Sequence, residues 1–254
     1  MYNALGIILA STYIFSGLHK LNGGFLYSIW EQMILKKFFG FKISKNIIMH
    51  YSGLLLPIIE ITAGVLLFSK FRRYAGIVLI GMHLTILALL GPSGNNYNII
   101  VWPWNLAMIL FTYVIFIQIN TNTSFTLNRN DLYSKVVILF WIILPVLSFA
   151  DLWEQYFSSS LYSGKSKNMA ICVSGNNKYE ILDIYTSKND KHKLCNGNKL
   201  LSVHDWAIKE LKVPPYPEEW YYRKLLLRFE DIYPEADAAF SMYSYPYEKN
   251  IILK

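Results

Sequence analysis

The sequence predicts an all-α polytopic membrane bundle of about five transmembrane helices, followed by a small C-terminal α+β domain on the exoplasmic side. Hydrophobic residues make up 54% of the 254 residues, and charged residues make up only 16%. Residues 1–150 contain ten Lys and Arg but three Asp and Glu, whereas residues 151–254 contain fourteen of each sign. This contrast is typical of a transmembrane helical domain, here 1–150, joined to a soluble domain, 151–254. The basic excess indicates loops beside lipid headgroups, so we expect the lipid bilayer, and no nucleic acid, as a partner.

Five apolar segments approach the length needed to cross a bilayer core of about 30 Å at about 1.5 Å per residue. The last segment is short and contains Pro145, which can kink a helix, so four spans and one interfacial helix remain an alternative. The five segments are 4–21, 52–68, 74–90, 99–118 and 136–149.

The first span ends in an adjacent histidine and lysine, His19 and Lys20. No basic residue precedes this span and no small-x-small cleavage pattern occurs before His19 and Lys20, so we expect a retained helix rather than a removed signal peptide. A lysine at the edge of an apolar run either snorkels to the headgroups, pairs with a carboxylate or serves a function. Snorkelling is the simplest of these interpretations.

The segment 25–48 mixes aromatic and aliphatic residues with four lysines. Such a segment suits a position along the headgroups, with its lysines in water. It would then cover the membrane domain where Lys20 emerges. An ordinary amphipathic connector is the alternative interpretation.

Two ionisable residues, Glu60 and His83, lie within the second and third spans. They are about equally far from the turn at Arg72, so antiparallel helices would bring them to a similar depth, and we expect them to be in contact. Ionisable groups at this depth are costly unless they are paired. The contact is either a structural clamp between helices or part of a proton-handling or ligand site.

A loop rich in Gly, Pro and Asn, residues 91–98, precedes the Trp-Pro-Trp-Asn sequence of the fourth span. One interpretation is an aromatic belt at the membrane surface with a capped helix. The other is that four side chains line an outward-facing pocket for an aromatic or carbonyl-bearing ligand. These four are Asn95, Asn98, Trp102 and Asn105.

The only two cysteines, Cys172 and Cys195, lie in the second domain. They could form one disulfide, which an exoplasmic compartment would allow, or be two unrelated buried thiols. Because basic residues divide almost evenly between the two sides, the cysteines decide the orientation. We expect a bacterial inner membrane protein with a cytoplasmic N-terminus and a periplasmic C-terminal domain. No histidine in this domain has metal-ligand spacing, so no metal site is predicted.

Short strands are expected over 169–173 and 179–185, joined by a Gly-Asn-Asn turn. Helices are expected to begin at Ser202 and to extend over 218–232, on either side of a proline-rich link.

The sequence from Gly17 to Asn22 resembles the Gly-x-Lys-Lys-Leu-Asp segment of vitamin K-dependent gamma-carboxylases and related HTTM membrane domains. The stretch 50–68 and the region from Arg73 to His83 are similar to the next segment of those proteins, and DoxX-like and MauE-like small membrane proteins have similar helices. The resemblance implies that Lys20 is a base acting on a hydroquinone and that the cofactor is a quinone. His19 stands where the family has a second lysine.

These features support two function hypotheses. In the first, an exoplasmic-facing polar pocket in the membrane binds a quinone-like or other lipophilic small molecule, with catalytic Lys20 and His83 and with His19 and Glu60 among the ligand-binding residues; its chemistry is redox- or carboxylase-related. In the second, the chain is a non-catalytic accessory or assembly subunit of a larger cell-envelope complex, with a membrane or exoplasmic protein as its partner.

Overall fold

The structure is a computed structural model that describes residues 2–41, 46–92, 94, 96–119, 131–174, 179, 184–187, 193–245 and 251–253. The chain forms two compact units, Met1–Gly164 and Lys165–Lys254. The division therefore falls after Gly164, and residues 151–164 belong to the helical unit.

Unit 1 contains the long helices. They are α1 Tyr2–Lys20, α2 Phe25–Phe38, α3 Ile47–Leu66, α4 Arg72–Leu90, α5 Val101–Gln118 and α6 Leu132–Ala150. Four of them, α3 to α6, are long and apolar enough to cross a membrane, and α1 and α2 together would make a fifth span bent by 97°. The coarse prediction of four or five helices of membrane length is confirmed.

The core of unit 1 is formed mainly by α1, α3, α4 and α5, which contribute both large apolar residues and alanines. Apolar side chains also face outward: Ile77, Leu110 and Val146 are each more than half exposed. Pro145 does not end α6, which is longer than the sequence predicts. The central buried residues are Leu9, Ala10, Tyr13, Ala63, Leu67, Ala75, Leu79, Met108, Ile115 and Phe116.

Two glycines allow α1 and α3 to approach closely. A Cβ atom on Gly17 would lie 2.5 Å from Ile61 Cγ1 and 2.9 Å from the carbonyl oxygen of Pro57. A Cβ atom on Gly64 would lie 3.0 Å from Ile14 Cγ1. Small residues at such contacts let helix backbones pack closely, as they do in membrane bundles.

We expect Gly17→Ala to destabilise unit 1 by about 1–3 kcal/mol, because the added methyl group overpacks the contact with α3. Gly81→Ala on α4 is the matched control, since no atom lies within 4 Å of the position of its Cβ. The control should be neutral or slightly stabilising, because alanine favours a helix over glycine. Thermal unfolding of both variants in detergent tests this, and equal effects would refute the close-packing argument.

Unit 2 is a small α+β fold, as expected. Its antiparallel sheet has the order β2-β3-β1-β4-β5 among the described residues. The strands are β1 Asn168–Val173, β2 Thr186–Ser187, β3 Lys199–Ser202, β4 Ala238–Tyr243 and β5 Ile251–Leu253, and the helices are α7 Val203–Leu211 and α8 Glu219–Ile232.

One face of this sheet carries the core, to which β1 contributes Met169, Ile171 and Val173 and α8 contributes Tyr222 and Leu226. Both predicted helices are confirmed within one residue, and the first predicted strand matches β1. The second predicted strand, 179–185, lies mostly outside the described residues, as does the Gly-Asn-Asn turn. Its described residues are not in a strand.

Cys172 on β1 and Cys195 in the loop before β3 form a disulfide. This confirms the pairing and excludes two unrelated thiols. Both cysteines are buried.

Candidate functional site

A buried ion pair joins the end of α1 to the middle of α3. Lys20 Nζ donates to Glu60 Oε2 at 2.7 Å and to Ser16 Oγ at 2.5 Å. The side chains of Lys20 and Glu60 are only 15% and 7% exposed. Lys20 is therefore paired inside the helical unit and does not simply reach outward to the surface.

Helix periodicity and close packing together create this pair. Ser16 and Lys20 are four residues apart and lie on one face of α1. Gly17, on the same side, admits the backbone of α3 one turn before Glu60. The carboxylate is thereby held within hydrogen-bond distance of the ammonium.

His83 has partners other than the one predicted. Its Nε2 lies 3.0 Å from the Tyr13 hydroxyl and its Nδ1 lies 2.6 Å from Asn105 Oδ1. The predicted contact between Glu60 and His83 is therefore wrong. The Glu60 carboxylate binds Lys20, and the His83 imidazole binds Tyr13 and Asn105.

The hydrogen bonds of His83 continue in both directions. Asn105 Nδ2 donates to the carbonyl oxygen of Val101 at 2.6 Å, and Tyr13 Oη lies 2.9 Å from Thr112 Oγ1. This series of hydrogen bonds connects the side chains of Thr112, Tyr13, His83 and Asn105, all four of which are buried. The series links α1, α4 and α5.

The geometry fixes the tautomer of neutral His83. Because the Asn105 amide group donates to Val101, its oxygen faces His83 Nδ1 and must accept a hydrogen bond from the Nδ1–H group. Nδ1 is then protonated and Nε2 accepts from the Tyr13 hydroxyl, which leaves Thr112 to donate to Tyr13. His83 thus presents its basic nitrogen to Tyr13.

We expect ¹⁵N NMR of the histidine-labelled full-length protein in detergent to show a protonated Nδ1 and an unprotonated Nε2 for His83. Asn105→Leu removes the acceptor and should release this preference, whereas Thr112→Val should keep it. His83→Gln serves to assign the signal. A protonated Nε2 with a bare Nδ1 in the wild-type protein would contradict the assignment.

His19 is directed away from Lys20. Ser148 Oγ donates to the carbonyl oxygen of Pro145 at 2.7 Å, so it accepts from His19 Nε2 at 3.0 Å. The imidazole also stacks on Phe149, with ring centroids 4.2 Å apart. His19 thus joins α1 to the end of α6, and the structure does not bring it to the Lys20 pair.

The predicted pocket wall is used for internal hydrogen bonds. Asn98 Oδ1 accepts from the backbone of Ile100 at 3.2 Å, and Trp102 Nε1 donates to the carbonyl oxygen of Leu90 at 3.0 Å. Asn105 takes part in the hydrogen bonds of His83 described above. Asn95 lies outside the described residues, and ligand binding by the other three stays a prediction.

A capping segment, residues 158–164, is fixed at the same end of unit 1 as Lys20. Asn22 Nδ2 bridges the carbonyl oxygens of His19 and Ser163, at 2.6 and 2.9 Å. Asn98 Nδ2 donates to the Tyr162 hydroxyl at 3.1 Å. Burial raises the pKa of Tyr162 to about 12, so this hydroxyl stays neutral and can accept.

Sequence reasoning missed Tyr13, Ser16, Thr112 and Tyr162. A signal for the first two exists, because Tyr13, Ser16 and Lys20 share one face of α1 at helical spacing. Thr112 and Tyr162 carry no such signal. No group of three or more His, Cys, Asp or Glu that could hold a metal occurs in the part of the chain that the structure describes.

Comparison of this chain with known protein families, with characterised proteins and with solved structures finds no match.

Proposed function

We propose that this chain is an integral membrane protein of a bacterial inner membrane and binds a quinone-like or other carbonyl-bearing lipophilic molecule at the Lys20–Glu60 pair. The observation that carries the proposal is this ion pair, whose two side chains are only 15% and 7% exposed within a largely apolar helical unit. An ionisable pair in such a place is a candidate functional site by default.

Membrane insertion is supported by helix length together with the outward-facing side chains. Helices α3 to α6 are long and apolar enough to cross a membrane, and their exposed residues are largely apolar. Apolar surface of this extent is unfavourable in water and favourable in lipid. The disulfide supports a C-terminal unit on the oxidising, periplasmic side.

The pair retains hydrogen-bonding capacity for a ligand. Among the described residues, two acceptors contact the three-proton ammonium of Lys20, and one donor contacts the two-oxygen carboxylate of Glu60. A ligand carbonyl could accept from Lys20, and a ligand hydroxyl could donate to Glu60. A quinone and its reduced form provide these two groups. The HTTM-like sequence around Lys20 supports the same class of ligand.

Binding of a short-chain ubiquinone analogue to the purified protein in nanodiscs tests the proposal, with tryptophan fluorescence as the readout. Lys20→Met/Glu60→Gln removes both charges without leaving either unpaired, and should weaken binding about 10- to 100-fold. Glu31→Gln, which alters the separate His50–Glu31 pair, is the control and should bind normally. Equal binding by all three proteins, or none by the wild type, would refute the proposal.

A second candidate is an accessory subunit that docks through unit 2. It is favoured by exposed apolar side chains on α7 and α8, namely Leu211, Trp220, Leu227 and Ile232. If the Lys20→Met/Glu60→Gln protein supports growth like the wild type while removal of 165–254 does not, this candidate replaces the first.

A further inference from the structure

We propose that the end of α2 with the two residues Phe39 and Phe41, together with the start of α3 at Ile47 and Ile48, forms a binding surface for anionic phospholipid headgroups. The inference rests on the proposed membrane insertion of unit 1 and adds a lipid partner that the ligand site does not require.

The bend at the end of α1 sets the direction of α2. The axes of α1 and α2 differ by 97° across a short break. If α1 lies along the membrane normal, α2 therefore lies close to the plane of the membrane. A segment in that plane can place exposed apolar side chains at the acyl boundary and cations at the headgroups.

The orientation of α2 is fixed by contacts with the start of α3. Trp30 Nε1 donates to the carbonyl oxygen of Met49 at 2.8 Å, and Glu31 pairs with His50 at 2.6 Å. The ring of Trp30 lies directly against Gly53, where a Cβ atom would be 2.5 Å from Trp30 Cγ. The surface is thus held in place before any lipid binds.

Exposed apolar and basic groups occur together here. Phe39 and Phe41 come after α2 and are 54% and 51% exposed, while Ile47 and Ile48 begin α3 and are 68% and 77% exposed. Lys36 and Lys37 at the end of α2 are exposed as well, and the ammonium of Lys37 lies 4.0 Å from the centroid of the Tyr97 ring. The aromatic and aliphatic groups suit the acyl boundary, and the ammonium groups suit phosphate oxygens.

Charge favours anionic over zwitterionic headgroups. Between Glu31 and Glu60 the sequence contains four lysines and no Asp or Glu. Both carboxylates are turned toward groups of the protein, because Glu31 contacts His50 and Glu60 contacts Lys20. Juxtamembrane lysines attract anionic lipid with an effect of about fivefold in affinity for each residue.

Native mass spectrometry of the full-length protein, released from detergent with equal amounts of dioleoyl phosphatidylglycerol and dioleoyl phosphatidylcholine, tests the inference. The wild type should retain phosphatidylglycerol preferentially. Lys36→Gln/Lys37→Gln should reduce that retention roughly 30-fold and leave phosphatidylcholine unchanged. The charge-matched control Lys209→Gln/Lys224→Gln changes two exposed lysines of unit 2 and should retain phosphatidylglycerol like the wild type.

Equal retention of the two lipids by the wild type, or equal loss in the test and control variants, would overturn the inference while leaving membrane insertion intact. Extraction of the native protein from membranes by alkaline carbonate would instead refute insertion, and the lipid surface with it.

Discussion

Lys20→Met is expected to destabilise unit 1 by about 3–5 kcal/mol, because it leaves the Glu60 carboxylate buried without its cation. The side chain of Glu60 is only 7% exposed and sits in the middle of α3, where it cannot reach the helix end. Thermal or denaturant unfolding in detergent measures the loss.

Replacing Glu60 instead of Lys20 should lower the free energy of unfolding by a smaller amount. Glu60→Gln leaves a cation at the end of α1, and the long side chain of Lys20 can swing outward, so a loss of about 1–2 kcal/mol is expected. Lys20→Met/Glu60→Gln should recover to within about 1 kcal/mol of the wild type, because a buried pair contributes little net stability. If the double variant is as unstable as Lys20→Met, the pair is not the reason for the loss.

Gly164→Ala is expected to destabilise unit 1 by about 2–5 kcal/mol, from backbone strain and overpacking combined. Gly164 has φ +75°, in the left-handed region that favours glycine. Its Cβ atom would overlap the carbonyl group of Gly24 and the amide nitrogen of Phe25, which are backbone atoms and cannot rotate away. The capping segment would have to leave the bend between α1 and α2.

Gly40→Ala separates the effect of backbone strain from the effect of overpacking. Gly40 has φ +67°, but no atom lies within 4 Å of the position of its Cβ, so only the strain of about 1–2 kcal/mol remains. Unfolding midpoints of the two variants should therefore differ clearly. Equal midpoints would show that the contact between Gly164 and Gly24 contributes nothing.

Some residues of the candidate site could be predicted from the sequence. Lys20, Glu60 and His83 stand out because ionisable residues are rare in apolar segments, and all three have polar partners inside unit 1. Their pairing was not predictable from distance to the turn at Arg72. That distance gives the depth of a side chain but not the helix that it faces.

The loop residues show a related limit. Asn98 and Trp102 are polar groups near helix ends, and such groups serve a ligand or the unpaired backbone of the helices equally well. In the structure they bind Ile100 and Leu90. A sequence shows which groups need partners, whereas only the packed chain shows which partners they find.

The sequence alone determined the division into an apolar, basic part and a charge-balanced part and the helices of membrane length, because each depends on composition or periodicity. It left the pairing of Cys172 and Cys195 open, and the structure shows that they form a disulfide. The tertiary structure decided that Glu60 meets Lys20 and that His83 meets Tyr13 and Asn105. The physical reason is the close approach of α1 and α3 at Gly17 and Gly64, which selects one neighbour for each buried polar group. Periodicity fixes the face of a helix, but packing fixes what lies opposite that face.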